Sequence, residues 1–332
     1  MRAAVIGSGG WGTALAMVLC RNGHDTVLWS HNREKAEQMR VSRVNGMLPG
    51  VSLPQELELS ADPGCVAGCD LVVMASPSVH LRSVCRQISP YLKRETLLVS
   101  ATKGIEPGSL LRMSQVVQQE TGCNVVALTG PSHAEEVAAN VPTGCLAACE
   151  DQAFAELVQD AFMTETFRIY TSADVVGAEL GGALKNVIAL CAGACDGLGF
   201  GDNTIAMLMT RGLTEIARLG VSMGARKETF AGLAGVGDLM VTCSSRHSRN
   251  RKAGVLMGQG KSVQEAMDQV GAVVEGYYAA KSAWELAQSR KVEMPIVQGA
   301  YQVLYRGADL REVVQELLLR QRKAESEDAG WL

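Results

Sequence analysis

The sequence predicts an α/β N-terminal domain with a mostly parallel sheet, followed by an all-α C-terminal domain. Its 332 residues are about twice the usual length of a single domain. Short apolar runs alternate with helical patterns up to about residue 170, as they do in successive β-α-β units. Beyond that point only helical periodicity recurs. We therefore expect one domain at residues 1–172 and the other at residues 173–332.

The N-terminal elements begin with a strand, a glycine-rich turn, a helix and a second strand. Residues 2–6 form a short apolar run, residues 13–22 have a helix-forming composition, and residues 26–29 form the next apolar run. This order is the β-α-β unit that a parallel sheet requires. Later apolar runs predict further buried strands at residues 71–75, 96–100, 125–128, 145–149 and 167–170.

The helical domain opens with a capping pattern. Thr171 is followed three residues later by Asp174, a spacing typical of a helix N-terminus. Apolar residues then recur at helical intervals, which predicts a long helix near the domain interface, at Val176, Leu180, Leu184, Ile188 and Cys191. Glycine-rich joints are expected at residues 193–201 and 232–237, and the charged tail after Leu319 is expected to fray into solvent.

Composition narrows the classes of function. A formal net charge of −4 leaves no broad basic surface for a nucleic acid. The ten cysteines are expected to be free thiols in a reducing cytoplasm, and the pairs spaced four apart lack a histidine at metal-ligand spacing: Cys65/Cys69, Cys145/Cys149 and Cys191/Cys195. Glycines interrupt the apolar N-terminus, unlike a signal peptide, and no later run reaches the roughly 18 apolar residues of a membrane span. We expect a cytoplasmic protein with no metal, no nucleic acid and no integral membrane segment.

The turn after the first strand matches the G-x-G-x-x-G dinucleotide fingerprint, in the order Gly7-Ser8-Gly9-Gly10-Trp11-Gly12. It follows a predicted strand and opens a helix, so the glycines would allow a tight turn, close approach of a pyrophosphate and close packing of helix on strand. The pyrophosphate would lie on the amides at the helix N-terminus. This predicts a Rossmann domain that binds a dinucleotide, with a ligand-free turn as the alternative.

The end of the second strand indicates which dinucleotide is preferred. An NAD-selective site usually places an acid there for the ribose, but this chain has Ser30-His31-Asn32-Arg33. Arg33 and His31 suit a 2′-phosphate, which a carboxylate would repel. We expect NADP(H) to be preferred over NAD(H), unless Arg33 merely begins a solvated helix.

Lys185 is the candidate proton donor. Reduction of a ketone leaves an alkoxide, which a nearby cationic acid stabilises and protonates. A helical side chain leans towards residues three and four earlier, here Gly182 and Gly181, whose missing side chains leave room for a nicotinamide and a small ketone. Lys103 follows a predicted strand and would meet the same site, where its charge would lower the pKa of Lys185. A surface lysine is the alternative interpretation of Lys185.

Further polar residues fit the same chemistry. Asp238 could hold a substrate hydroxyl or the lysine, with Thr242 one helical turn later, although a helix cap explains Asp238 as well. The segment Ser248-Arg249-Asn250 offers a hydroxyl, a guanidinium and an amide, which together suit a phosphate if they open a helix.

A resemblance to a known family rests on five segments, which are residues 101–104, 130–132, 181–186, 235–250 and 273–276. With them the chain resembles the bacterial NAD(P)-dependent glycerol-3-phosphate dehydrogenases from about residue 2 to residue 306. The resemblance implies reversible reduction of dihydroxyacetone phosphate to sn-glycerol 3-phosphate, supply of glycerophospholipid synthesis, a small phosphorylated triose as substrate, and a homodimer.

The resemblance also assigns roles to residues of this chain. It implies that Lys185, Lys103 and Asp238 are catalytic. It implies a substrate site at Lys103, Gly130, Ser132, Lys185, Asp238, Thr242, Ser248, Arg249 and Asn250. Together with the glycine turn and the end of the second strand, it gives a cofactor site at Gly7, Gly9, Gly10, Trp11, Gly12, His31, Arg33, Lys103, Ala134, Arg249, Val273 and Glu275. From the residues alone, 130–132 would be a turn and Glu275 a solvated carboxylate.

Three alternatives remain open. β-Hydroxyacid and ketopantoate-type dehydrogenases share a Rossmann domain followed by helices and a catalytic lysine. A sugar-nucleotide dehydrogenase would need a nucleophilic cysteine, for which Cys243 is a candidate. A protein that senses NADPH without turnover would keep the glycine turn, although it would not need both lysines and Asp238.

Overall fold

A computed structural model describes residues 1–322, 324 and 325 of the chain. Its sheet has the order β3-β2-β1-β4-β5-β6-β7-β8. All neighbouring strands are parallel except β6 and β7, which are antiparallel. The strands are β1 (Arg2–Ile6), β2 (Asp25–Trp29), β3 (Glu58–Ser60), β4 (Leu71–Met74), β5 (Leu97–Ser100), β6 (Val125–Thr129), β7 (Thr143–Ala148) and β8 (Phe167–Ser172).

Helices cover both faces of this sheet, because each central strand is apolar on both sides. Ala3 and Val5 of β1 belong to a core shared with α1 (Gly10–Arg21) and α6 (Gln152–Phe162). Ala4 and Ile6 belong to a second core shared with α3 (Leu81–Ile88) and α4 (Met113–Thr121). Such two-sided burial is characteristic of parallel sheets. The helices that pack on this sheet are α1 (Gly10–Arg21), α2 (Arg33–Ser42), α3 (Leu81–Ile88), α4 (Met113–Thr121), α5 (Ala134–Ala138) and α6 (Gln152–Phe162).

The described residues after Ser172 contain helices and no strand. The predicted fold class, a Rossmann domain followed by helices, is therefore confirmed. The helices are α7 (Val175–Gly197), α8 (Asp202–Ser222), α9 (Asp238–Ser244), α10 (Arg249–Gly258), α11 (Val263–Val270), α12 (Glu275–Arg290), α13 (Pro295–Arg306) and α14 (Leu310–Leu318).

Helix α7 is the centre of the helical region. A side chain at Gly193 would overlap the carbonyl oxygen of Arg251, and one at Gly254 would overlap that of Leu190. The backbones of α7 and α10 therefore touch. Among the described residues, α7 is long and apolar enough to cross a membrane, but 83% of its most apolar window is buried in the protein. This burial is that of a core helix.

Several boundaries differ from the sequence prediction. Strand β3 was not predicted, because it has three residues at the sheet edge and only Leu59 is buried. The cap of α7 is Asp174, whose Oδ1 accepts a hydrogen bond from the Gly177 amide at 2.8 Å, whereas Thr171 lies within β8. The expected joint at 193–201 begins inside α7, which continues to Gly197. Much of the tail after Leu319 lies outside the described residues.

A buried carboxylate joins the helical region to the sheet region. Glu179 of α7 accepts hydrogen bonds from the amide and the hydroxyl of Ser114, at 2.7 and 2.6 Å, and forms an ion pair with Arg112. Ser114 lies in the first turn of α4, where exposed amides favour an anion. Glu179 thereby fixes α7 to the sheet region on the N-terminal side of Lys185.

Replacing Glu179 should therefore destabilise the whole protein. We expect Glu179→Ala to lower the free energy of unfolding by about 3 kcal/mol, because Arg112 and two donors of Ser114 lose a buried partner. Urea titration followed by circular dichroism measures this change. The control is Glu37→Ala, which removes an exposed pair with Arg40 and should cost less than about 1 kcal/mol. Equal effects of the two variants would contradict a structural role for Glu179.

Candidate active site

The carboxyl ends of β5 and β6 face the middle of α7, and this crevice contains the site. A side chain at Gly182 would overlap the hydroxyl of Thr129, the last residue of β6. It would also approach the side chain of Lys103, which lies in the loop after β5. A side chain at Gly181 would overlap the Ala234 carbonyl on the other side of α7. The two glycines thus let α7 pass close to the edge where open α/β sheets bind ligands.

Asp238 is the centre of a three-residue charge cluster. Its carboxylate is 0% exposed and forms ion pairs with Lys103, at 2.8 Å between Nζ and Oδ2, and with Lys185 through Oδ1. Lys185 also donates a hydrogen bond to Thr242 Oγ1 at 2.5 Å. Four predicted residues from three separate segments of the sequence are therefore brought together.

Burial sets the proton affinity of Lys185. Its ammonium loses solvation inside the protein, which lowers the pKa to about 8. Asp238 opposes this change, and the positive charge of Lys103 adds to it. The expected effect of Lys103 is therefore present, although burial is the larger cause. A lysine with this pKa can give or take a proton near neutral pH.

Lys103 links this cluster to the loop after β6. Its ammonium also donates to the Gly130 carbonyl at 2.8 Å and to the Ser132 hydroxyl at 3.1 Å. Gly130 has a φ of +131°, and a side chain there would press on Cys145 of the neighbouring strand. Only glycine adopts this conformation readily. The turn predicted at residues 130–132 thus lies within reach of the charge cluster.

The glycine turn has the open cradle that a dinucleotide needs. Gly7 has a φ of +123°, and a side chain at Gly12 would overlap the Gly7 carbonyl, whereas nothing lies within 4 Å of a side chain built at Gly9. Gly9 is the N-cap residue of α1, and no side chain accepts a hydrogen bond from the backbone amides of the first turn of this helix. A pyrophosphate therefore fits against this helix N-terminus.

Two further cofactor candidates, Trp11 within this turn and Ala134 beside it, connect the turn to neighbouring elements. Trp11 donates its indole N–H to the Ala101 carbonyl at 3.2 Å, two residues before Lys103. The Ala134 methyl lies 3.4 Å from a side chain built at Gly10. His31 and Arg33, at the start of α2, are exposed. The turn, the Lys103 loop and the start of α5 therefore form one continuous surface.

Glu275 differs from the solvated carboxylate that the residues alone suggest. It begins α12 and accepts hydrogen bonds from the amide and hydroxyl of Ser78, at 3.1 and 2.5 Å. Burial raises the pKa of Glu275. Ser78 follows β4, so Glu275 reaches across the crevice from the helical region. Val273 lies two residues before it. Ser78 was not predicted, because no sequence motif relates it to Glu275.

The segment Ser248-Arg249-Asn250 does open a helix, but its three side chains behave differently. Ser248 caps α10 by accepting from the Arg251 amide at 3.2 Å. The Asn250 side chain donates to Asn186 Oδ1 at 2.9 Å and accepts from the Gly276 amide at 2.8 Å. Arg249 is exposed. Asn250 thus joins α7, α10 and α12, a contact that spacing in the sequence could not reveal.

Cys243 does not have the properties of a nucleophile. The side chain is buried, and burial raises the pKa of its thiol to about 12. Since the thiolate is the reactive form, Cys243 is inert near neutral pH. The sugar-nucleotide alternative thereby loses its candidate residue.

Comparisons with known proteins agree over both halves of the chain. A family profile described as NAD-dependent glycerol-3-phosphate dehydrogenase N-terminus matches residues 2–155, and the corresponding C-terminus profile matches residues 174–315. A curated relative from Agathobacter rectalis, named glycerol-3-phosphate dehydrogenase (NAD(P)+), is 48% identical over 333 residues, 99% of each chain.

Solved structures give the same result. The glycerol-3-phosphate dehydrogenase structure from Coxiella burnetii is 37% identical, has a TM-score of 0.92, and is matched over 96% of this chain and 99% of that one. The glycerol-3-phosphate dehydrogenase from Saccharomyces cerevisiae is 28% identical with a TM-score of 0.81, over 95% of this chain and 98% of that one.

The charge cluster makes a prediction that needs no substrate. Asp238→Asn should lower the pKa of Lys185 further below about 8, because the carboxylate that stabilises its charged form is removed. NMR titration of ¹³C-methylated lysines, with the Lys185 signal assigned by its loss in Lys185→Met, measures this pKa. Asp196→Asn, which removes the α7 carboxylate paired with Arg251, is the control. An unchanged or raised Lys185 pKa in Asp238→Asn would show that the pair is not formed.

Proposed function

The chain belongs to the family of NAD-dependent glycerol-3-phosphate dehydrogenases, and from this membership we propose that it interconverts dihydroxyacetone phosphate and sn-glycerol 3-phosphate. It is an NAD(P)-dependent oxidoreductase. The observation that carries the proposal is the buried cluster of Lys103, Asp238 and Lys185, whose Lys103 loop is hydrogen-bonded to the glycine turn through Trp11. Family profiles over both halves of the chain argue against the β-hydroxyacid and ketopantoate-type alternatives, and an intact cluster argues against a sensor without turnover.

The proposed chemistry is a hydride transfer coupled to a proton transfer. When bound, the reduced nicotinamide supplies the hydride to the ketone carbon. Lys185 Nζ gives its proton to the ketone oxygen, so that the product is a neutral alcohol and Lys185 is left as an amine. In the reverse direction the amine takes the hydroxyl proton. A pKa of about 8 suits both tasks.

Asp238 and Lys103 support this step in different ways. Asp238 holds the Lys185 ammonium in place through Oδ1, and Thr242 fixes it from a second direction. Lys103 adds a positive charge beside the carbonyl oxygen as it becomes negative, which stabilises the transition state. We propose that Gly130 and Ser132, which Lys103 contacts, border the triose.

We propose that the phosphate of the substrate lies at the start of α10. The exposed Arg249 guanidinium would pair with it, and the free amides of the first helical turn would add donors. Ser248 and Asn250 belong to the same proposed site. Their bonds to the Arg251 amide, to Asn186 and to Gly276 indicate that they also fix the helix end on which the phosphate would lie.

The proposed cofactor site runs from the glycine turn to Lys103. Gly7, Gly9, Gly10 and Gly12 would hold the pyrophosphate, Trp11 and Ala134 would border it, and Val273, Glu275 and Arg249 would approach it from the helical side. We further propose a preference for NADPH over NADH, because His31 and Arg33 stand where an acid would otherwise bind the ribose. A cytoplasmic homodimer that supplies glycerophospholipid synthesis is proposed from the family resemblance.

Turnover tests this function directly. Purified protein should oxidise NADPH, seen as loss of the nicotinamide absorbance, when dihydroxyacetone phosphate is added. Lys185→Met should lower kcat by a factor of about 10² to 10⁴, the usual contribution of a general acid, while the Kd for NADPH changes little. Lys281→Met, an exposed lysine on α12, is the matched control. Binding of NADPH without oxidation by the folded wild-type protein would contradict the proposed function, and a normal kcat in Lys185→Met would show that another group is the acid.

A further inference from the structure

Lys35 reaches from α2 to the glycine turn. It lies in the first turn of that helix, where its amide donates to the capping Asn32 side chain at 2.9 Å. Its side chain then folds back, and its ammonium donates to the Ser8 carbonyl at 2.7 Å. Sequence patterns did not indicate this residue, because Lys35 lies six residues after the end of β2, inside α2. The fold thus places a fixed positive charge beside the cofactor cradle.

The partner of this ammonium is itself held firmly. The Ser8 carbonyl also accepts a hydrogen bond from the Asn45 side chain at 3.1 Å, and the Ser8 hydroxyl donates to Ser30 Oγ at 2.9 Å. Ser30 is 0% exposed and directly follows β2, where an NAD-selective site carries its acid. The Lys35 charge therefore lies beside the position at which the adenosine ribose would be recognised.

Lys35 is better placed than its two basic neighbours to recognise an anion there. His31 and Arg33 are exposed, whereas Lys35 is half-buried and its head group is bound. Partial burial lowers the pKa of Lys35, and among the described residues no carboxylate forms an ion pair with it. Because the Lys35 ammonium has no carboxylate partner, an ion pair with a nearby phosphate would stabilise its charge. Because the ammonium is already fixed in place, little conformational entropy would be lost when that ion pair forms.

We propose that Lys35 determines cofactor specificity, because its ammonium contacts the 2′-phosphate of NADPH. One proton donor of the ammonium stays on the Ser8 carbonyl, and the other two remain for the phosphate oxygens. The proposal rests on the proposed function only in requiring that a nicotinamide dinucleotide binds at the glycine turn. If Lys35 only stabilised the glycine turn through the Ser8 carbonyl, its replacement would weaken the binding of NADPH and of NADH equally.

Binding measurements separate these two roles. Lys35→Met keeps most of the apolar stem and removes the charge. Calorimetric titrations with NADPH, NADH, 2′,5′-ADP and 5′-AMP should show Kd values for NADPH and 2′,5′-ADP that rise about tenfold or more, as expected for loss of a charged hydrogen bond. The Kd values for NADH and 5′-AMP should change by less than about threefold. Lys35→Arg should retain the preference for the 2′-phosphate, and Arg40→Met, on the exposed side of the same helix, should leave all four Kd values unchanged.

Two outcomes would overturn the proposal. Equal weakening of the phosphorylated and unphosphorylated ligands in folded Lys35→Met would show that the lysine only supports the turn. Unchanged binding of 2′,5′-ADP would show that Lys35 does not touch the phosphate. Because these titrations need no ketone, they also separate the two claims. A protein that discriminates the ligands as expected but fails to reduce dihydroxyacetone phosphate would support the role of Lys35 and contradict the proposed function.

Discussion

The ion pairs of Asp238 with Lys103 and Lys185 are the interaction on which the rest of the site depends. A carboxylate that is 0% exposed is costly unless neighbouring charges and hydrogen bonds compensate for its lost hydration. The two ammonium groups supply that compensation, and they come from different regions of the fold. Lys103 follows β5 of the nucleotide-binding region, whereas Lys185 and Asp238 belong to α7 and α9. The cluster can form only when both regions pack together.

Small residues make this packing possible. Gly181 and Gly182 let α7 lie directly against the Ala234 carbonyl on one side and the Thr129 hydroxyl on the other. Ala234 belongs to a π-helical turn, Leu233–Gly237, that leads directly into Asp238. Such turns are rare and often occur at functional sites. The contacts that pack α7 against the sheet therefore also bring Lys185, Asp238 and the carboxyl end of the sheet together.

The sequence predicted the features of this arrangement that depend on local chemistry. Strand β1 and α7 follow from apolar periodicity, and the glycine turn follows from a backbone conformation that only glycine adopts readily. Lys185 was found because two glycines precede it at helical spacing. In contrast, three pairs of hydrogen-bonded residues come from distant segments, and no spacing rule relates their members. These pairs are Ser78 with Glu275, Asn250 with Asn186, and Lys35 with Ser8. Strand β3 was missed for a related reason, since three residues at a sheet edge gain their structure from the neighbouring strand.

The pH dependence of turnover in both directions tests most directly whether Lys185 exchanges the proton. If it does, kcat for ketone reduction should fall as the pH rises through about 8, since the ammonium is the proton donor, and kcat for alcohol oxidation should rise over the same interval. Asp238→Asn should move both transitions to lower pH, because the carboxylate favours the protonated lysine. Rates of reduction and oxidation that are flat across this interval, or that change in the same direction, would contradict the account.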